Sequence, residues 1–293
     1  MEAKEQAAIY KKEGNIATIT FNRPEKLNTW DFPGQSGLTD AFYSALGVAE
    51  QDDDVKVVII KGAGRAFSAG HDLNTVGFIY GIGSGKPGER RASERIRLKV
   101  DREWLEGCHK RLFLCPKVTI AQIHGYCIGE GIIMLLCCDL AVAAEDALIG
   151  HTEQRLGFAG SGTGTINLLI ATVGLKRALD LLLLGTQIDG REAERIGLVN
   201  RAVPADRLDD EVMKMAQAIT LLPRDGIAMG KAHRQLAYDS LGLTAGFTHG
   251  YVMHTLFTNL RWEADEYNFF RERRDKGTKT GFHARDERYA GLE

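Results

Sequence analysis

From Ile16 the chain alternates apolar and polar positions through "IATITFN" until Pro24 stops the run, which predicts a strand from about Ile16 to Asn22. Phe42, Ala45, Leu46 and Ala49 then recur at helical spacing. "VKVVIIKG" follows as a compact β-branched run of the kind buried on both faces of a parallel sheet. The order is strand, helix, strand, and it repeats: "KVTIAQIHG" reads as a strand, "EGIIMLLCC" as a helix, and "LAVAAEDALIG" as two short strands or one strand and a turn. Between the repeats, a polar, glycine-containing segment from Asn74 to about Arg91 leads into a long helix ending near Cys115.

Beyond Gly157 the pattern turns helical. "LKRALDLLLLG" is apolar and ends on glycine, and "DGREAERIG" carries Asp189 as its cap, Glu192 three positions on and Gly197 at its end. Leu208, Val212, Met215, Ala216, Ile219 and Leu222 form an apolar stripe at helical spacing. Three more helical stretches cover Asp225 to Lys276, with an irregular end from Gly277 onward. No Pro/Ser-rich linker divides the chain, so residues 1–204 are expected to form one main domain of strand and helix units, with 205–293 as a helical C-terminal region.

Composition narrows the function classes. Of 293 residues, 44% are hydrophobic and 26% charged, enough for a substantial core. The net charge of -2 gives no global attraction for nucleic acid or anionic membrane. "MEAKEQAAIYKKEGN" lacks the apolar core of a secretory signal, and no apolar stretch approaches bilayer length, so a soluble cytoplasmic protein is expected. The five cysteines are odd in number and sit in apolar surroundings, which suits reduced, buried thiols. No two-histidine metal spacing occurs, and "GAGRAFSAG" lacks the lysine and hydroxyl pair of a nucleotide P-loop. Neither a metal nor a redox cofactor is expected.

Two segments share a design that bears on chemistry. In "FSAGHDL" a strand runs into Ala69, Gly70 and His71, and in "GYCIGEG" into Gly129, Glu130 and Gly131. Glycine admits backbone conformations closed to other residues and lets a ligand approach the main chain closely. Unpaired N–H groups at a helix start point outward with the positive end of the helix dipole behind them. Two such turns facing one cleft would form an oxyanion hole, although each alone reads as readily as a tight turn.

The order and spacing of these stretches resemble the crotonase superfamily, the enoyl-CoA hydratase/isomerase family. The likeness runs from about Ile16 to Pro204 through "FNRPEKLNTWD", "VVIIKGAGRAFSAGHDL", "AQIHGYCIGEGIIMLLCCDLAVAAEDALIGHTEQRLGFAGSG" and "LGTQIDGREAERIGLVNRAVP". It implies an α/β fold, a spiral of ββα units with perpendicular sheets, and a helical C-terminal region that mediates assembly into a trimer or a dimer of trimers. It implies a coenzyme A thioester as substrate, with the coenzyme A part of the substrate and not a separate cofactor. It assigns the two oxyanion N–H groups to His71 and Glu130 and the general acid/base role to Glu153 in "IGHTEQRLG". Residues expected along the bound acyl-CoA are Lys26, Ala69, Gly70, Asp72, Leu73, Gly129, Gly131, Ile133 and His151. Arg23 joins Lys26 as a candidate phosphate contact, and Phe78, Tyr80, Tyr251, Tyr267, Phe269 and Phe270 as candidate walls of the acyl pocket or ordinary core.

Two positions qualify what the resemblance implies. The first catalytic glutamate of typical hydratases falls at Ile133, and isoleucine can neither hold a water nor exchange a proton. The Glu130 side chain reads either as incidental to a backbone donor, its charge favoured by the helix N-terminus, or as an acid or base entering the cleft. A fixed negative charge beside an oxyanion would oppose catalysis unless protonated or turned away. The expectation is an acyl-CoA enzyme that stabilises a thioester enolate and moves protons with Glu153, provided burial keeps that carboxyl near working pH. A hydratase-lyase acting on an aromatic or branched enoyl-CoA, and a non-catalytic module binding acyl-CoA or RNA, stand as alternatives.

Overall fold

The computed structural model describes residues 6–73, 93–157, 164–257 and 262–292. The chain begins with a hairpin, β1 (Ala8–Glu13) and β2 (Ile16–Phe21), followed by α1 (Leu38–Gln51), β3 (Val57–Gly62) and the short β4 (Ala66–Ser68). Next comes α2 (Glu94–Arg102), which continues into a π-helical stretch, Glu103–His109, and then α3 (Lys110–Phe113). A second unit comprises β5 (Val118–Ile123), β6 (Tyr126–Ile128) and α4 (Glu130–Cys137), and a third opens with β7 (Leu140–Ala144) and β8 (Leu148–Gly150).

Each unit therefore sends its first strand to one sheet and its second to another. The larger sheet has the order β1-β2-β3-β5-β7-β10, where β10 is Arg201–Val203, and all its pairs except β1 with β2 are parallel. The smaller sheet has the order β4-β6-β8-β9, where β9 is Gln187–Ile188, and its first two pairs are parallel. Parallel pairing at the centre follows from the sequence: Val57, Val58, Ile59 and Ile60 are all buried, which suits a strand covered on both faces. β2 instead buries alternate residues, Ala17, Ile19 and Phe21.

Helices cover the large sheet. α1 buries Leu38, Phe42, Leu46 and Ala49 against β1 and β2. α8, counted after α5 (Ile166–Val173), α6 (Leu175–Leu184) and α7 (Gly190–Arg195), spans Leu208–Thr220 and lays Leu208, Val212 and Ala216 across β2, β3, β5 and β7. The Asp189 cap forms as its spacing predicts, accepting from the Glu192 N–H at 2.8 Å. The chain closes with α9 (Arg224–Ser240), α10 (Ala245–Phe257), α11 (Phe269–Lys276) and α12 (Thr278–Glu287).

One expectation needs correction. The segment from Gly277 is not irregular: α12 forms there, packing Phe282 beside Phe269 with ring centroids 5.4 Å apart. β1 went unread because "AIYKKE" is mostly polar, as suits an edge strand with one exposed side. The loop from Asn74 to Arg91, with Phe78 and Tyr80, lies outside the described residues. Among those described, no helix is long and apolar enough to cross a membrane. All five cysteines are free. Burial pushes the Cys108 and Cys115 thiols up to about 12, so both stay protonated at neutral pH.

Candidate active site

The two glycine turns lie side by side at the ends of neighbouring strands, β4 and β6. Gly70 has φ +91° and Gly129 φ +57°, conformations that favour glycine. A β-carbon added at Gly70 would stand 3.0 Å from the Ile128 carbonyl oxygen and 3.6 Å from the Glu130 nitrogen. The turns are in contact, leaving no room for a side chain between them.

The main-chain donors are aimed by their neighbours. Trp30 donates its N–H to the Gly70 carbonyl at 2.9 Å and accepts from the Asp72 N–H at 2.8 Å. Those bonds use the groups flanking His71, so the His71 N–H points the other way, as alternation along an extended strand requires. At the second turn α4 begins at Glu130, and the Gly129 carbonyl accepts from the Ile132 and Ile133 N–H groups. The Glu130 N–H precedes those bonds, in the part of a helix whose donors lack an intrahelical partner. No main-chain acceptor among the described residues outside helices and strands takes the His71 or Glu130 N–H.

Glu153 completes the constellation. It opens a short 3-10 turn, Glu153–Leu156, after β8, and a β-carbon on Gly129 would stand 2.6 Å from its Oε1. Its Oε2 lies 2.6 Å from Nδ1 of His151, whose side chain is buried. One carboxylate oxygen is thus tied to a histidine while the other faces the second glycine turn. Burial alone would raise the Glu153 pKa, but the charge of and hydrogen bond from His151 outweigh it, and the carboxyl ends below its ordinary value. The sequence-level expectation of a pKa held up by burial is corrected accordingly.

These groups line a cavity of about 410 Å³ with mostly apolar walls. Ala69, Gly70, His71, Leu73, Gly129, Ile133 and Glu153 all reach it. Ile133 stands on the cavity wall. Lys26 lies half-exposed, 3.8 Å from Asp72, and Arg23 approaches the same carboxylate at 3.9 Å. Asp72 thus faces cations and is not on the cavity wall. Gly131 packs under the turn, where a β-carbon would be 2.9 Å from the Ser68 carbonyl oxygen, and His151 meets the cavity only through Glu153. Of the candidate aromatics, Phe269 and Phe270 form a cluster with Leu156 and Tyr267, while Tyr251 packs beside Trp104.

The Glu130 side chain turns into the protein and is 1% exposed. Its Oε1 lies 2.5 Å from Nε2 of His109 and accepts from the Trp104 indole N–H at 3.3 Å, and its Oε2 stands 3.4 Å from Nε2 of His71. The His71 ring stacks on Phe32 with centroids 5.0 Å apart. Burial drives its pKa down, with Glu130 opposing, so the imidazole stays neutral at neutral pH. Trp104, His109 and His254 were missed from the sequence, where nothing marks a contact made across 21 or 26 residues. Thr152, Leu156, Gln187, Phe282, Arg285 and Asp286 also line the cavity, the last three from α12.

A spiral of two-strand units delivering two glycine turns and one carboxylate to an apolar cavity defines a crotonase-type fold. The family model for enoyl-CoA hydratase/isomerase matches residues 11–278, and the chain belongs to that family. It is similar to the peroxisomal Delta(3,5)-Delta(2,4)-dienoyl-CoA isomerase of Arabidopsis thaliana, with 31% identity over 222 residues, 75% of this chain and 77% of that protein. Among solved structures, an enoyl-CoA hydratase/isomerase from Xanthobacter autotrophicus Py2 superposes with a TM-score of 0.80 at 30% identity, covering 96% of this chain and 98% of that one. An enoyl-CoA hydratase from Mycobacterium smegmatis gives a TM-score of 0.82 at 26% identity, covering 99% and 97%.

Proposed function

We propose that the protein is an acyl-CoA enzyme that moves a proton between carbons of an enoyl thioester through an enolate held by the His71 and Glu130 N–H groups. The thioester oxygen sits between the two glycine turns. Glu153 takes a proton from one carbon through Oε1, the electron pair passes into the conjugated system, and negative charge gathers on that oxygen. The same carboxyl then returns the proton at another carbon, so no atom is gained or lost. Donors aimed at charge that exists only in the transition state accelerate the step instead of merely binding substrate, by about 3 kcal/mol for each donor. His151 holds Glu153 in its ionised, proton-accepting form and fixes which oxygen is presented.

The observation that carries isomerisation over hydration is Ile133 on the cavity wall. A carboxylate there would activate water together with Glu153, and a hydrocarbon in its place favours proton transfer without water. Asp286, the other carboxylate on the cavity lining among the described residues, is engaged by Arg285 at 2.6 Å. Exposed Leu221, Met229, Leu236 and Leu241 on and around α8 and α9 support assembly into a trimer.

The test incubates the protein with crotonyl-CoA, a 3-enoyl-CoA and an aromatic enoyl-CoA in deuterated water, reading products by mass. Deuterium exchange with a shifted double bond is the expected result. Addition of one water would identify a hydratase, and release of a carbonyl fragment a hydratase-lyase. Glu153→Gln should lower turnover at least about a hundredfold while CoA esters still bind. Unchanged turnover removes Glu153 from its role.

A further inference from the structure

A second histidine and carboxylate pair reaches the same cavity, and the reaction above makes no use of it. His254, on α10, lines the cavity, and its Nδ1 lies 3.0 Å from Oδ1 of Asp101 on α2. Asp101 has no exposed surface, and its Oδ2 accepts from the Thr255 hydroxyl at 2.6 Å. Arg97, equally buried and one helical turn before Asp101, donates to the Thr255 carbonyl at 2.8 Å. Thus two helices distant in sequence are joined through buried polar groups immediately behind an imidazole on this wall.

The chemistry of that arrangement is specific. A buried carboxylate is costly unless paired, so Asp101 belongs behind His254 only if holding that ring is useful or the pair is needed for packing. A carboxylate 3.0 Å from Nδ1 favours one placement of the ring by its charge. The Trp104 ring lies 5.1 Å from that of His254 and 4.8 Å from that of His71, so the histidine stands one aromatic ring from the first oxyanion turn. An all-hydrocarbon acyl chain gains nothing from an oriented imidazole, and leucine would serve it better. An acyl chain carrying oxygen would gain a hydrogen bond in a largely apolar cavity, where an unmatched polar group is penalised.

We infer that the acyl group bears a hydroxyl or carbonyl oxygen beyond the thioester, and that His254, oriented by Asp101, hydrogen-bonds it. His254 is then a specificity-determining residue and Asp101 its positioning residue. This inference rests on the reading of the cavity as an acyl-CoA site, and the experiment separates the two. Calorimetry compares hexanoyl-CoA with its singly hydroxylated and oxo counterparts, substituted from C4 outward, away from the reacting carbons. At least one oxygenated ester should bind the wild-type protein about tenfold more tightly than hexanoyl-CoA. His254→Leu should bring that ratio to about one, and His254→Gln, which keeps a hydrogen-bonding group, should retain several-fold preference. Asp101→Asn should weaken the preference without abolishing it. No preference in the wild type, or an equal loss for both kinds of ester in His254→Leu, overturns the inference and leaves a packing role. Failure of every ester, hexanoyl-CoA included, to bind the wild type instead removes the acyl-CoA reading itself.

Discussion

Replacing Glu130 by glutamine separates what its backbone does from what its carboxylate does. The substitution keeps the main-chain N–H and the shape of the side chain while removing the charge. The carboxylate lies 2.5 Å from His109, accepts from Trp104 at 3.3 Å, and is 1% exposed. A hydrogen bond involving a charged group contributes about 1.5–3 kcal/mol and a neutral one about 1 kcal/mol, so exchanging one kind for the other at this buried site should cost about 2 kcal/mol. At about 2–4 °C per kcal/mol for a chain of this size, the midpoint of thermal unfolding should fall by about 4–8 °C. Turnover should stay within about threefold of wild type, because the proposed main-chain donor is retained. His109→Ala leaves the carboxylate without its shortest partner and should cost about 3–5 kcal/mol. The double variant should be less destabilised than the sum, with a coupling of about 1–2 kcal/mol, measured by urea unfolding of the four proteins. A hundredfold loss of turnover in Glu130→Gln with unchanged unfolding would place the carboxylate in the chemistry and refute the argument.

Gly129→Ala forces a side chain onto a residue at φ +57° and to within 2.6 Å of Glu153 Oε1; it should lower turnover at least about tenfold and stability by about 1–3 kcal/mol. Gly14→Ala, at φ +58° with nothing within 4 Å, should lower stability alone, and equal activity loss in both would refute a local effect. Because Glu153 ionises below its ordinary value of 4.5, kcat/KM should be flat through neutral pH and fall only below about 4.5. In His151→Ala burial loses its main counterweight, and the acid limb should move upward; a limb that stays in place would exclude His151 as the cause. The same depressed pKa contributes stability that is fully present above the unfolded value and is lost as pH falls through the folded one. His71, also depressed, makes folding less favourable as pH drops below its unfolded value near 6.5, because only the unfolded chain then takes up the proton. Unfolding free energies measured from pH 8 down to about pH 2 check both.

What the sequence disclosed follows the range of the forces involved. The apolar run Val57 to Ile60, the Asp189 cap and the paired glycine turns are written in neighbouring residues, and all are legible in the sequence. Glu153 became legible only through its spacing within the family pattern, since an isolated glutamate in a loop has no local mark. The Glu130, His109 and Trp104 cluster and the Asp101, His254 pair join residues far apart in the chain, and no periodicity encodes them. α12 was hidden for another reason: its charged residues obscure the apolar face that Phe282 brings to the cavity.

The π-helical stretch Glu103–His109 makes this arrangement depend on how the helix is wound. The Nδ1 of His109 lies 2.9 Å from the Trp104 carbonyl, five residues earlier, and both side chains converge on one carboxylate oxygen. In a regular α-helix those positions would diverge by roughly 140° at 3.6 residues per turn. Were this stretch to rewind as a regular α-helix with its length unchanged, the imidazole would swing off Glu130 while most of the fold stood undisturbed. Removing one residue between them would instead restore a four-residue spacing, about 40° apart on a regular helix, so the wide turn and the extra residue balance each other beside the acid under the second glycine turn.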